Sequence, residues 1–300
     1  KFNISPTRNC LPINREPFRT SAFEFLKSFI GKDLSKVGIP ITYNEPLSFL
    51  QRLTECMNYS DLLDKAAKTT NEKRRMIYLA AFSISSFSRM DERVFKPFNP
   101  LLNETFEFID KNRGIMCICE QVSHHPPISV LHVESANWTY CEENRFDIYF
   151  KGTYIQAKSL AKVFFKIKST GNLYHWTKPD TKISNILSSK YFISAVGEVI
   201  IKSINTPYTC QIKYEGANKQ SREKFVIVSV YDKNEKIDCI YGDCNTMLIL
   251  KSSDEILVEF NRNKSIENCY CLNSMSISLN TPTADYLCPT DSRLRPDQTQ

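Results

Sequence analysis

At 300 residues, with 42% hydrophobic and 12% aromatic content, 8 Gly and 14 Pro, the chain has an ordinary globular composition that excludes collagen-like and disordered classes. Its 39 Lys and Arg against 33 Asp and Glu leave +6 without a basic block. That balance mildly favours anionic membrane surfaces or phosphate ligands, and no interleaved basic and aromatic run points to nucleic acid. No stretch approaches the roughly 18–20 apolar residues of a membrane-spanning helix, and no signal-peptide pattern opens the chain.

Residues 1–20 are polar and interrupted by Pro6, Pro12 and Pro17. Phe18, Ala22, Phe25, Leu26 and Phe29 then recur at helical spacing as far as Gly31, predicting an extended arm that leads into a short amphipathic helix. After Pro40, Pro46 suits a first helical turn, and Leu47, Leu50, Leu53, Cys56 and Met57 form one stripe, predicting a second helix. A third is predicted over about 72–89, carrying Met76, Ile77, Ala80, Phe82, Ile84 and Phe87. Such stripes read as packing surfaces rather than cofactor sites.

From about residue 104 the apolar period falls from 3.6 to 2. Lys162–Lys168, Glu198–Lys202 and Lys224–Tyr231 are rich in β-branched and aromatic residues, with turn residues between such runs. Helices first and strands afterwards predict an α+β, mainly β chain whose large antiparallel sheet closes or nearly closes to hide its edges. Eight strand residues span about 27 Å, long enough to enclose a lipid lengthwise. Periodicity does not distinguish a solid core from a tunnel.

The eleven cysteines include Cys117/Cys119 and Cys269/Cys271, two apart in strand-like segments, and no CxxC pair. They read as reduced, mostly buried thiols of a cytosolic protein, without a zinc knuckle.

Two segments depart from the strand pattern: Lys96-Pro-Phe-Asn-Pro-Leu-Leu102 and Glu120-Gln-Val-Ser-His-His-Pro-Pro127. His125 and Pro126 each precede a proline, which holds them extended and makes the second segment stiff. Joint action of His124 and His125 on one ligand requires a bend, because neighbours on a regular strand face opposite ways. No HExxH or Cys/His spacing supplies further metal ligands, and no Gly-x-Ser-x-Gly elbow accompanies Ser123. Two imidazoles and a lysine fit a phosphomonoester better, since that group carries about −1.5 to −2 charges and accepts charge-assisted hydrogen bonds. Strand-end capping by the histidines and a solvated Lys96 remain the structural alternative.

EQVSHHPP resembles the fingerprint of the oxysterol-binding-protein-related family. Gly31-Lys-Asp-Leu-Ser-Lys36, Asn44–Thr54, Lys96–Leu102 and Pro289-Thr-Asp-Ser-Arg-Leu-Arg-Pro-Asp297 resemble family segments in family order, nearest to the sterol-binding founder branch. The resemblance implies a single lipid-binding domain over 1–300: an incomplete antiparallel β-barrel around an apolar lipid tunnel. Within it, 1–30 would be a lid, 31–90 a helical segment, 91–280 the barrel and 281–300 the start of a C-terminal region that family members continue with further head-group contacts.

The implied function is intracellular lipid transfer, exchanging sterol or another lipid such as phosphatidylserine for phosphatidylinositol 4-phosphate between membranes. The alternative is a lipid sensor or scaffold without net transport. Lys96, His124 and His125 match the phosphate-contacting positions, with Asn99 a weaker candidate at the tunnel mouth. Neither catalysis, cofactor nor metal is implied; the expected partners are lipid ligands and anionic membranes, and the expected location is cytoplasmic, peripheral at membranes or contact sites. Asn103 stands where the family usually has Gly, and Asn is the least costly replacement if the position requires positive φ.

Overall fold

A capping box turns the chain into its first helix: Ser48 Oγ accepts from the Gln51 N–H (3.4 Å) and Gln51 Oε1 accepts from the Ser48 N–H (2.6 Å). The structure, a computed structural model, describes residues 8, 10, 11, 41, 44–88, 90, 93, 95–186, 192–215, 225–260, 270–283 and 287–297. The predicted arm, lid and first helix lie outside the described residues, except for residues 8, 10 and 11. There the Arg8 N–H donates to Ser278 Oγ (3.0 Å) and Arg8 Nε to the Ile277 carbonyl (2.6 Å).

Before the cap, the helical expectation fails. Asn44–Ser48 is a strand, β1, paired in parallel with β2, Lys96–Phe98, and helix α1 covers only Phe49–Thr54. Pro46 is tolerated because each strand of a two-stranded pair has a free edge, where a missing N–H costs no ladder bond. The stripe itself is real: Leu47, Leu50, Leu53, Cys56 and Met57 are all buried, though their backbone runs from strand through helix to a 3-10 turn over Glu55–Tyr59. A helix that the sequence reading misses, α2 (Ser60–Lys68), buries Leu62, Leu63 and Ala66. The predicted helix over 72–89 is α3, Glu72–Ser85, capped by Asn71 Oδ1 accepting from the Arg74 N–H (3.0 Å).

From Thr105 onward the described chain is a succession of strands: β3 (Thr105–Asp110), β4 (Ile115–His124), β5 (Pro127–Ser135), β6 (Trp138–Asn144), β7 (Phe146–Phe150), β8 (Tyr154–Ser159), β9 (Lys162–Ile167), β10 (Leu173–Trp176), β11 (Asp180–Ser184), β12 (Phe192–Ser203), β13 (Tyr208–Tyr214), β14 (Phe225–Asp232), β15 (Glu235–Asp243), β16 (Met247–Leu250) and β17 (Glu255–Glu259). Their main path runs β17-β16-β15-β14-β13-β12-β10-β9-β6-β5-β4-β3, antiparallel throughout. β3 and β17 end this path without pairing to each other, which is the incomplete barrel expected. Cys117 and Cys119 lie on the buried face of β4, as their spacing predicts. Cys271, in contrast, is in no strand and has φ +53°; Cys269 lies outside the described residues.

Three strands leave the main path. β7 pairs β8, β8 pairs β11, and β11 pairs Phe192–Val196, the first part of β12. The second part of β12, from Gly197, pairs β13. Gly197 has φ +96°, a conformation that side-chain-bearing residues rarely adopt, so glycine permits the bend where one strand leaves the side sheet and enters the main one.

α3 packs against β12, β13, β14 and β17. Met76, Ile77, Leu79, Ala80, Ala81, Phe82 and Ile84 are all buried, so beyond its charged first turn the helix is buried nearly all round, as a core helix must be. Phe82 meets Tyr140 edge-on (5.6 Å between centroids), and Trp138 packs on Phe165 (6.0 Å) while donating to Asp64 Oδ1 of α2 (2.8 Å). The last turn of α3, at Ser85, reaches the site.

Candidate functional site

α1, the side sheet and the start of β12 surround a cavity of about 620 Å³, within the range that small-molecule ligands occupy. Phe49, Phe146, Ile183 and Ile193 give it apolar walls, while Lys96 and Lys178 bring charge to it. Lys178 pairs with fully buried Glu142, which also accepts from Tyr140 Oη (2.6 Å). Arg93, also on the wall, is fixed between Glu45 (2.8 Å) and Glu55 (3.0 Å). Burial works against its charge, but the two carboxylates more than compensate and hold the guanidinium above its usual range.

Lys96 differs from these cations. β2 places it on the cavity wall, half-buried, and among the described residues no carboxylate pairs with it. Burial alone lowers its ammonium pKa. A cation held without a counter-charge beside an apolar cavity is suited to an anionic ligand group.

The two motifs meet behind this wall. The Asn103 N–H donates to the Gln121 carbonyl (2.9 Å), and the Gln121 N–H returns a bond to the Glu104 carbonyl (2.9 Å). Asn103 sits at φ +64°, the left-handed conformation that Asn adopts at less cost than most side-chain-bearing residues. Asn99 is exposed, and its carbonyl accepts from Arg295 Nη1 (2.8 Å). Arg295 also pairs with Glu104 (2.7 Å) and lies over the Phe98 ring (5.6 Å to its centroid), which ties the 291–297 segment to the 96–104 turn.

A register shift between Gln121 and Ser123 supplies the bend that the histidine pair requires. Gln121 Nε2 donates to the Ser123 carbonyl (2.8 Å), Ser123 Oγ donates to the Pro126 carbonyl (2.7 Å), and the His125–Pro126 bond is cis. The His124 and His125 rings lie edge to face, 4.9 Å between centroids. His125 is exposed. His124 is half-buried, and its Nδ1 is buried without a hydrogen-bond partner, a condition that is rare unless a ligand or water completes it.

The structure thus brings His124 and His125 together and connects Asn99 to their stem through Arg295 and Glu104. It places Lys96 on the cavity wall, without a hydrogen bond to either histidine. Sequence reasoning did not assign roles to Arg93, Glu45, Lys178, Glu142 or Arg295. Of these, Arg295 and Glu45 lay in segments already singled out; the others are isolated charges, and the pairing of all five depends on the fold.

Residues 21–300 match the family model described as "Oxysterol-binding protein". Oxysterol-binding protein 2 of Mus musculus is 34% identical over 307 residues, covering 94% of this chain and 34% of its own length. Oxysterol-binding protein-related protein 3 of Homo sapiens is 35% identical over 305 residues, covering 98% of this chain and 34% of its own. The chain therefore spans about a third of the length of these curated relatives. The crystal structure of the Osh3 ORD in complex with PI(4)P, from Saccharomyces cerevisiae, superposes with TM-score 0.87 at 31% identity, over 98% of this chain and 81% of that one. The Osh1 ORD domain in complex with cholesterol gives 0.86 at 31% identity, over 98% and 76%.

Proposed function

Because the chain belongs to the oxysterol-binding protein family, we propose that it is a lipid carrier. It holds one lipid at a time in the cavity, exchanges sterol or another lipid for phosphatidylinositol 4-phosphate between membranes, and performs no covalent step on either. The observation that carries this reading is Lys96, a half-buried cation on the cavity wall that pairs with no carboxylate among the described residues. The two bound relatives support it, since one is a complex with PI(4)P and the other with cholesterol, on chains of the same fold. Two lipids competing for one cavity, only one of them carrying a phosphomonoester, are sorted by the contacts to that group.

In this reading Lys96, His124 and His125 hold the head-group phosphates, with Asn99 at the rim, and residues 1–300 act as one unit with 1–30 as its lid. Lid closure removes the sterol or acyl body from water, at about 0.8 kcal/mol for each buried CH₂. The carrier works on the cytoplasmic side, peripherally at membranes. The rim supports this: β7 exposes Ile148, Tyr149 and Phe150, with Lys151, Lys158 and Lys182 nearby, a combination suited to anionic lipid. Among the described residues no helix is long and apolar enough to cross a membrane.

Extraction of phosphatidylinositol 4-phosphate from liposomes tests the reading, with sterol uptake measured in parallel. A hydrogen bond to a charged group contributes about 1.5–3 kcal/mol. The double variant His124→Ala/His125→Ala is therefore expected to lose roughly a hundredfold or more in extraction, and Lys96→Ala at least tenfold, while sterol uptake persists. Undiminished extraction by these variants would remove the head-group assignment. Binding of both lipids without net transfer between liposomes would identify a sensor instead of a carrier.

A further inference from the structure

On the outer face of the barrel, remote from any role in lipid binding, β5 and β6 place His132 directly opposite Cys141. His132 Nδ1 lies 2.9 Å from Cys141 Sγ, and its Nε2 lies 2.8 Å from Glu134 Oε1. Lys168 Nζ is 2.6 Å from the other carboxylate oxygen. Burial disfavours the charged form of Glu134, but its bonds to Lys168 and His132 outweigh that and hold it below the usual carboxylate range, so it is ionised and only accepts. Nε2 therefore carries the imidazole proton. In the neutral ring, this leaves Nδ1 as a lone-pair acceptor facing the thiol. Nucleophile, base and orienting carboxylate are in the order found in acyl-transfer sites, on a lipid-binding fold that has no use for them.

The register extends the site sideways. Ile118 of β4 is opposite His132, and Phe164 of β9 is opposite Cys141. Both are exposed, at 46% and 42%, so the thiol lies in a row between two exposed apolar side chains. Because His132 engages the thiol and the carboxylate through opposite ring nitrogens, the three groups do not converge on a point, as metal ligands would.

We propose that Cys141, His132 and Glu134 form a nucleophile relay that makes Cys141 a covalent modification site for α,β-unsaturated carbonyl compounds with an apolar tail. Burial, with a smaller contribution from Glu134, raises the Cys141 thiol above its ordinary value, so the resting group is the thiol and the proton moves as the bond forms. Sγ bonds to the β-carbon of the electrophile, and the C=C π pair shifts to give an enolate. The thiol proton passes to His132 Nδ1 and from there to the α-carbon. The sum is addition of S–H across the double bond, with no oxidant or leaving group. Glu134 is a positioning residue that fixes the tautomer and supports the transient imidazolium.

Trans-2-nonenal added to the whole chain, with adducts timed at each cysteine by peptide mass spectrometry, tests this proposal. Cys10, exposed, and Cys239 and Cys288, partly exposed, are internal references. Cys141 is expected to react faster than all three and to slow at least tenfold in His132→Gln and several-fold in Glu134→Gln, with the references unchanged. Phe164→Ser is expected to slow nonenal but not acrolein, which has no tail. Should His132→Gln fail to fold, Glu134→Gln and the ranking in the parent chain still decide. Reaction of Cys141 no faster than the references, or a rate indifferent to both substitutions in folded protein, would overturn the relay.

Discussion

Two groups of strands in this one molecule bury their residues in opposite ways. β9 alternates exposed and buried along its whole length, and β4 does so from Ile115 to Val122. In the side sheet, all five residues of β11 are half-buried and four of the five in β7 are exposed. The main sheet has packed core on one face and solvent on the other, so side chains sort strictly by period two. The side sheet has the cavity on one face and solvent on the other, and neither is dry. Loss of alternation therefore marks where the protein keeps room for a ligand.

Truncating one ring from each group tests the contrast most severely. Trp138 is fully buried, packed on Phe165 and bonded to Asp64, so Trp138→Ala is expected to cost about 3–5 kcal/mol in urea unfolding. Phe146 lines the cavity and is 37% exposed; Phe146→Ala is expected to cost less than about 1 kcal/mol while impairing sterol uptake. Similar losses of stability in the two variants would mean that the side sheet is packed like the core.

The same contrast explains what was legible in the sequence. Strands such as β9 and β14, with core on one face, showed their pattern directly, and so did the buried stripe Leu47–Met57. That stripe misled about its own backbone, because spacing over a few residues does not separate a strand followed by a short helix from one longer helix. α2 was missed although Leu62, Leu63 and Ala66 recur at helical spacing, because nine residues are fewer than the window over which that period is read. At the site, Asn103 was readable because backbone geometry limits which residues take positive φ. The Arg93 pairing with Glu45 and Glu55 was not, for those residues lie up to 48 positions apart and meet only in the fold.

A second, smaller effect is expected at the open edge of the side sheet. Among the described residues β7 pairs only with β8, and Lys151 lies over the Tyr149 ring, 5.5 Å from its centroid. If this edge meets membrane, Tyr149→Ser/Phe150→Ser is expected to reduce binding to anionic vesicles about tenfold and to leave unfolding in urea nearly unchanged. The equivalent change in the main sheet, Phe164→Ser on the outer face of β9, is expected to leave vesicle binding intact. Equal losses from both would show that exposed aromatic area, wherever it lies, drives the association.

The smallest effect concerns how charge contributes to seating α3. Lys73 of α3 pairs with Asp238 of β15 (3.0 Å), which also accepts from Ser252 Oγ (2.9 Å) and the Cys239 N–H (2.9 Å). Burial opposes ionisation of Asp238, but these three bonds outweigh it and lower the carboxyl below its usual range. A carboxyl depressed in the folded state stabilises fully above the unfolded value of about 3.9, and that contribution is lost as pH falls through the folded value. Asp238→Asn is therefore expected to lower the urea midpoint slightly at pH 7 and to lose less than the parent between pH 5 and pH 3. Lys73 is more than a third exposed, so solvent screening keeps the difference small. Identical acid dependence in the two proteins would mean that apolar burial alone seats α3, and the contrast between the packed main sheet and the charged, open cavity would then be sharper still.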